Sequence, residues 1–212
     1  GSKQWRVRQS AVEIVPARLG CTQKMGTRAE IAKLCVALMN DKVDAVRKTA
    51  AECLCMGGSS LGSHGEGTSA EWISSIVVPN IRNAAIHGKA KQRLLSLKMV
   101  EVVLLSGACP TAWHGNEGVA ARLTDSPIRE LAAIALSLTT DKIANVRLNV
   151  GRTLENVLHV FEDRELSFIR EVLNVQLQQE QEGAADRDVL YFAKRCKQKA
   201  TVMMSDRKMG RT

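Results

Sequence analysis

The sequence predicts an all-α protein made of stacked pairs of antiparallel helices, a solenoid, and three observations predict it. The first is a single apolar stripe: in Asp141–Leu158, the residues Ile143, Val146, Val150, Leu154 and Val157 recur every three or four positions, so one helical face is greasy. The second is repetition. One hundred residues earlier Asp41, Val43, Val46, Arg47, Ala50 and Leu54 occupy the places of Asp141, Ile143, Val146, Arg147, Val150 and Leu154. The third is composition: hydrophobic residues make up 45% of the chain but aromatics only 3%, so Ala, Leu, Val and Ile fill an interior of closely packed helices.

Taken in order, Gln4–Leu19 reads as a second helix of a pair. Aligning Val7-Arg8 with Val46-Arg47 sets Ala11 on Ala50 and Val15 on Leu54, and Pro16 falls near its end. Its first helix would lie upstream, and Gly1-Ser2 reads as the remnant of a cleaved tag. A first helix follows at Arg28–Met39, with Ile31, Leu34, Cys35 and Leu38 on one face, broken by Asn40-Asp41-Lys42. Its partner is Asp44–Met56, closed by Gly57-Gly58. Residues 57–69 have loop composition and lack the G-K-[ST] of a phosphate cradle. The next pair is Ser69–Asn83, kinked at Pro79, and Lys89–Leu105, with Arg93 at the recurring arginine position and Ser96 and Val100 at core positions. Residues 106–127 form a second long loop, where Trp113 and His114 are either a packed anchor or an exposed contact. Pro127–Leu138, with Pro127 in the first turn after Ser126, pairs with Asp141–Leu158. The last pair is Asp163–Gln179 and Asp186 to about Lys199, in which Val189 matches Val146 but Leu190 replaces the arginine, as in a degenerate capping repeat. The expected organisation is a partial repeat at 1–20, four repeats over 21–200, and a basic tail without structure at 201–212.

The recurring arginines Arg8, Arg47, Arg93 and Arg147 are 39, 46 and 54 residues apart. A unit near 40 residues with loop insertions gives those intervals, which is the pattern of two-helix HEAT repeats stacked in a right-handed superhelix. Asp41 and Asp141 fall in the tight turn between paired helices, where a carboxylate accepts turn N–H groups beside a positive helix N-terminus. Arg47 and Arg147 lie about a turn and a half further on, within reach of a turn carboxylate of the same or the next repeat. A ladder of such Asp–Arg contacts would fix the stacking, and it competes with a reading of the arginines as phosphate contacts.

Charge and chemistry exclude much. The net charge is +8, but seven basic residues and one acid between Lys194 and Thr212 carry most of it, so the body is nearly neutral and nucleic acid is not the expected partner. The six cysteines show no C-x-x-C spacing and sit mainly among Ala, Leu and Val, as small hydrophobes in a reducing compartment. His64, His87, His114 and His159 lack metal-ligand spacing, and no hydrolase, zincin or kinase signature is present. Acid pairs such as Glu180/Glu182 read as solvated helix ends. No catalytic residue, cofactor or metal is expected. With no apolar run long enough for a bilayer, the expected location is the cytoplasm, with the nucleus also open.

The motifs W-R-V-R at Trp5–Arg8, V-D-A-V-R at Val43–Arg47, E-W-I-x-x-I-V-V-P at Glu71–Pro79, I-A-N-V-R-L-N-V at Ile143–Val150 and D-V-L-Y-F-A at Asp188–Ala193 occur in that order. Together they resemble the last five HEAT repeats of the scaffold (A) subunits of protein phosphatase 2A, over nearly all of the predicted helical part. The resemblance implies a non-catalytic scaffold that grips a metal-dependent Ser/Thr phosphatase catalytic subunit, beside a further regulatory subunit, with the ridge of turns between paired helices. On this chain that ridge would comprise Trp5, Arg6, Val43, Asp44, Arg93, Ala144 and Asn145. The chain departs from the family in the turn H-G-K-A-K-Q-R, which lacks the expected aromatic, in its two long loops, and in its basic C-terminus. Two other classes compete. A karyopherin-like transport adaptor would need acidic inner-face patches, which the sequence does not show. A HEAT-like DNA glycosylase would need a basic concave face rich in aromatics to hold a displaced base.

Overall fold

The computed structural model describes residues 2–21, 25–57, 69–106, 127–183 and 185–210, and among them every regular element is helical. The chain divides into two compact units, Gly1–Ala121 and Arg122–Thr212. In the first, α1 (Ser2–Glu13), α2 (Val15–Cys21), α3 (Met25–Leu38), α4 (Asp44–Met56), α5 (Ser69–Trp72), α6 (Val78–His87) and α7 (Ala90–Leu105) follow in order. In the second are α8 (Pro127–Ser137), α9 (Ala144–Val157), α10 (Asp163–Glu182) and α11 (Arg187–Lys208).

The packing is that of stacked pairs. In the first unit α4 packs on its own partner α3 and lies between α1 and α7, while α6 pairs with α7. In the second, α9 packs on α11, α8 on α10, and α10 on its partner α11. Within each unit second helices pack side by side, α1, α4 and α7 in the first and α9 and α11 in the second. The stripe predicted for α9 is fully buried at Val146, Val150, Leu154 and Val157, and its match on α4 is buried at Val46, Ala50 and Leu54.

Local chemistry sets the boundaries. Asp41 Oδ1 accepts from the Val43 N–H at 2.9 Å, and Asp141 Oδ1 accepts from the Ile143 N–H at 2.8 Å. Both hydrophobic residues are held extended just before their helices (Val43 φ −92°, ψ 123°; Ile143 φ −99°, ψ 116°). The carboxylate therefore closes a turn that ends before the helix begins, and α9 starts at Ala144 rather than at Asp141.

Several expectations need correction. Gln4–Leu19 is two segments, α1 and α2, broken at Ile14. Val7, the match of Val46, is 70% exposed, and Ala11 is exposed too; α1 packs on α4 and α2 and turns Val12 inward instead. On α3 the buried residues are Ala32 and Cys35, followed by Met39, whereas Leu34 is exposed. Gly57 is no left-handed cap, since its φ of −52° and ψ of −34° are helical. It is small because a Cβ there would stand 2.5 Å from Leu19 Cδ1 and 3.2 Å from Trp72 Nε1. Trp72, buried, donates its indole N–H to the Leu54 carbonyl at 2.9 Å, which seats the start of the next pair on the end of α4.

The kink expected at Pro79 takes the form of a widened, π-type turn over Ile73–Val77 that joins α5 to α6. A proline ring clashes with the carbonyl four residues back and offers no N–H, so the helix ahead of it dilates. Asn80 Nδ2 donates to the Ile76 carbonyl at 2.7 Å, restoring a bond within that turn. The C-terminal stretch is also not structureless: α11 runs unbroken past Ala200 to Lys208. Arg207 Nη1 donates to the Phe161 carbonyl at 2.8 Å and pairs with Asp163 at 3.2 Å, pinning that end to the start of α10. Most of loops 57–69 and 106–127, with Trp113 and His114, lies outside the described residues.

Candidate functional site: the ends of the second helices

The residues predicted for the ridge fall at one kind of place, the N-terminal ends of second helices. Trp5 and Arg6 lie in the first turns of α1, where the Arg6 guanidinium carbon sits 5.3 Å from the Trp5 ring centre. Trp5 is half-buried and Arg6 exposed. Val43 immediately precedes α4 and is half-buried, and Asp44 opens that helix with its side chain 58% exposed, bridging Arg47 at 2.8 Å and Lys48 at 2.7 Å. The Lys48 hydrogen bond, ahead of the charge of Arg47, holds the Asp44 carboxyl below its usual range. Arg93 occupies the first turn of α7, half-buried, donating Nη1 to the Gly88 carbonyl at 2.7 Å. In the second unit, Ala144 and Asn145 open α9; Asn145 is exposed, and Asn149 Nδ2 donates to its Oδ1 at 3.0 Å.

Within the first unit, a cavity of about 100 Å³ opens between the α3–α4 turn and the α6–α7 turn. Asn40, Asn80, Asn83, His87 and Gln92 line it. Gln92 ties the two turns together by donating Nε2 to Asn40 Oδ1, while its Oε1 accepts from the Lys89 N–H at 2.6 Å. Between these two turns of the first unit the surface is thus polar, rich in amides, and cross-braced.

The Asp and Arg residues of the predicted ladder lie in the turns of both units. Arg8 forks onto Asp41, Nε to Oδ2 at 2.6 Å and Nη2 to Oδ1 at 3.0 Å, joining α1 to the turn of the following pair. That fork, then the Val43 N–H, holds the Asp41 carboxyl below its usual range. Arg47 engages the same turn differently, through the Asp41 carbonyl at 2.8 Å and the Lys42 carbonyl at 3.1 Å. Arg147 likewise donates Nη1 to the Asp141 carbonyl at 2.8 Å. Its carboxylate partner is not a turn aspartate but Glu180 of α10, which receives Nε and, at 3.3 Å, Nη2.

Glu180 corrects the expectation that the Glu180/Glu182 pair is solvated, for Glu180 is only 7% exposed. Aligning Val189 on Val146 puts Ala184 where the α3–α4 and α8–α9 turns have Asp41 and Asp141, so the last pair lacks that carboxylate. Glu180, at the end of α10, reaches the Arg147 fork in its place and also accepts weakly from the Asp186 N–H at 3.4 Å. A gap in one column of the repeat, filled from another, leaves no periodic signal in the sequence. Glu165, paired with Arg129, and Glu155, paired with Arg195 at 2.8 Å, were missed for the same reason: each bridges different helices.

Among the described residues every thiol but Cys21 fits a packing role, and Cys109 lies outside them. Burial pushes Cys35 and Cys196 up to about 12 and Cys53 to about 11, and Cys55 higher still, so they stay protonated and unreactive; Cys21 is exposed. Among the described residues no three His, Cys, Asp or Glu side chains gather as a metal site, and no helix is long and apolar enough to cross a membrane.

Residues 31–56 match the family model of the HEAT repeat. That span is the C-terminal part of α3, the Asp41 turn and all of α4, and it carries both Asp41 and Arg47. The α8–α9 pair repeats the turn and the arginine, and the fold class is an all-α HEAT-repeat solenoid. No curated protein matches the chain. A HEAT-repeat surface is a protein-interaction scaffold, and such scaffolds typically do no chemistry of their own.

Proposed function

We propose that the chain is a scaffold segment that holds the catalytic subunit of a protein phosphatase 2A-type Ser/Thr phosphatase against the ridge formed by the ends of its second helices. The observation that carries this reading is the Trp5–Arg6 pair. A planar guanidinium lies over an indole at the start of α1, on the same kind of helix end as Asp44, Arg93 and Asn145. Trp and Arg are enriched among the residues that dominate binding energy at protein interfaces, Trp through a large rigid ring and Arg through a planar fork of donors. The ordered run of motifs that resembles phosphatase scaffolds supplies the partner's identity. Cross-bracing by the Arg8–Asp41 fork and by Gln92–Asn40 supports the same reading, since a braced ridge loses little freedom when a partner docks.

The mechanism would be positional. Each pair contacts only its neighbours, so the ridge can flex slightly while it brings a catalytic and a substrate-selecting subunit together, in the cytoplasm or nucleus. The test is a titration of purified phosphatase 2A-type catalytic subunit onto the chain. Trp5→Ala with Arg6→Ala is expected to weaken binding at least tenfold with an unchanged melting temperature. Equal binding by wild type and double variant, or a matching loss of stability, would remove the ridge from the interface.

A further inference from the structure

A second surface, on the second helices themselves, is built from a chain of contacts between α9 and α11. Gly151 sets it up. A Cβ there would stand 3.0 Å from the Phe192 carbonyl carbon and 3.2 Å from the Ala193 nitrogen, so only glycine lets the α11 backbone approach α9 this closely. The next residue, Arg152, then places its guanidinium carbon 5.3 Å from the Phe192 ring centre. Phe192 meets Tyr191 edge to face, with ring centres 5.1 Å apart. The Tyr191 hydroxyl accepts from Arg195 Nη1 at 3.4 Å, and Arg195 Nε returns to α9 by donating to Glu155. Two guanidiniums therefore flank an aromatic pair.

The two arginines are used differently. Arg195 is tied to a carboxylate, whereas Arg152 is exposed, held by a ring face, and has no carboxylate partner among the described residues. A cation–π contact holds a guanidinium near the ring without consuming its N–H donors, so Arg152 keeps its fork available. Tyr191, edge-on to the Phe192 ring that holds Arg152, is 55% exposed, an apolar face with a polar rim. Lys199 donates to the Glu155 backbone carbonyl at 3.1 Å and adds positive charge at the edge of the cluster. The unmet complement is a carboxylate next to an apolar side chain.

We propose that the Arg152–Phe192–Tyr191–Arg195 cluster is a docking site for an acidic segment of a partner protein, whose carboxylate is forked by Arg152 while a neighbouring apolar side chain covers Tyr191. The site is separate from the ridge and does not depend on the phosphatase reading. It is tested by selecting binders to the full chain from a random peptide library, with Arg152→Glu, Arg152→Lys and Tyr191→Ala proteins, each checked for an unchanged helical spectrum and melting temperature, compared in parallel. The expected result is enrichment of peptides with Asp or Glu beside an aliphatic or aromatic residue. Their affinity should fall at least tenfold for Arg152→Glu and Tyr191→Ala, and several-fold for Arg152→Lys, which keeps the charge but loses the fork. Selection of basic or neutral peptides, no selection at all, or equal binding to the variants overturns the proposal. So does tighter binding of a phosphorylated counterpart or an oligonucleotide, or a dimer of the chain that Arg152→Glu dissolves, because each assigns the face to a different occupant.

Discussion

The fork between Arg8 and Asp41 makes a single carboxylate answerable for one joint between repeats. Because its folded pKa is depressed, the stability it confers is complete above the unfolded carboxylate value of about 3.9 and is lost as pH falls through the lower, folded value. Asp41→Asn keeps the Val43 acceptor and removes the charge. Denaturant curves of wild type and variant should differ by a constant amount from pH 7 to 5 and converge below about pH 4; a constant gap down to pH 3 would show that the charge is not what matters. Two other residues pull in opposite directions. Gln176 is 2% exposed and both of its amide atoms lack a partner among the described residues, so Gln176→Met is expected to leave stability within about 1 kcal/mol of wild type or raise it. Glu180→Ala strands Arg147, whose side chain is only 17% exposed, and should cost roughly 3 kcal/mol in the same assay.

Among the elements, what could be read from the sequence is what was local. The bounds of α4, the buried stripe of α9 and the role of Asp41 and Asp141 in the turn follow from periodicity and from hydrogen bonds spanning two residues. What could not be read depends on partners tens of residues away. The end of α11 looks like a solvated basic tail until Arg207 is seen to reach Phe161 and Asp163, and Glu180 looks exposed until Arg147 arrives. Of the predicted residues, the placement of Asp44, Ala144 and Asn145 at helix starts was legible, because the Asp41 and Asp141 turns stand just ahead of them in the sequence. The aromatic–arginine cluster was not, since its residues come from two helices that meet only through Gly151. If Arg207 does anchor α11, Arg207→Ala should cost about 1 kcal/mol and increase amide exchange after Ala200, without change in α9. Unaltered exchange at 201–208 would mean that the helix persists unaided.

For the molecule as a whole, repetition limits how far any perturbation spreads. Units that touch only neighbours have stabilities that sum locally, so damage stays near its source. Ile169→Ala, at a fully buried position of α10, is expected to lower protection in α8–α11 by about 2–5 kcal/mol while α1–α4 keep theirs. Uniform loss along the chain would instead mark a single cooperative core. Charge behaves in the same distributed way. Near the C-terminus Arg195 pairs with Glu155 and Arg207 with Asp163, while among the described residues Lys197 and Lys199 bond only neutral acceptors, the Asn174 amide and the Glu155 carbonyl, and so keep their charge uncompensated.

The widened turn at Ile73–Val77 has a consequence for how the gene can change length. A turn closed by bonds five residues apart holds one residue more than an α-turn. Excising a single codon there, together with Pro79→Ala to remove the ring that widens the turn, would restore ordinary pitch while Trp72 still faces Leu54 and Ile81 still faces inward. The same excision within α4 or α9 would rotate every following side chain by about 100° and turn the buried stripe toward water. Length variation in this chain should therefore gather at that turn and in the loops, and a deletion scan in a Pro79→Ala background would find helix α5–α6 tolerant at the spot where it departs most from regular geometry.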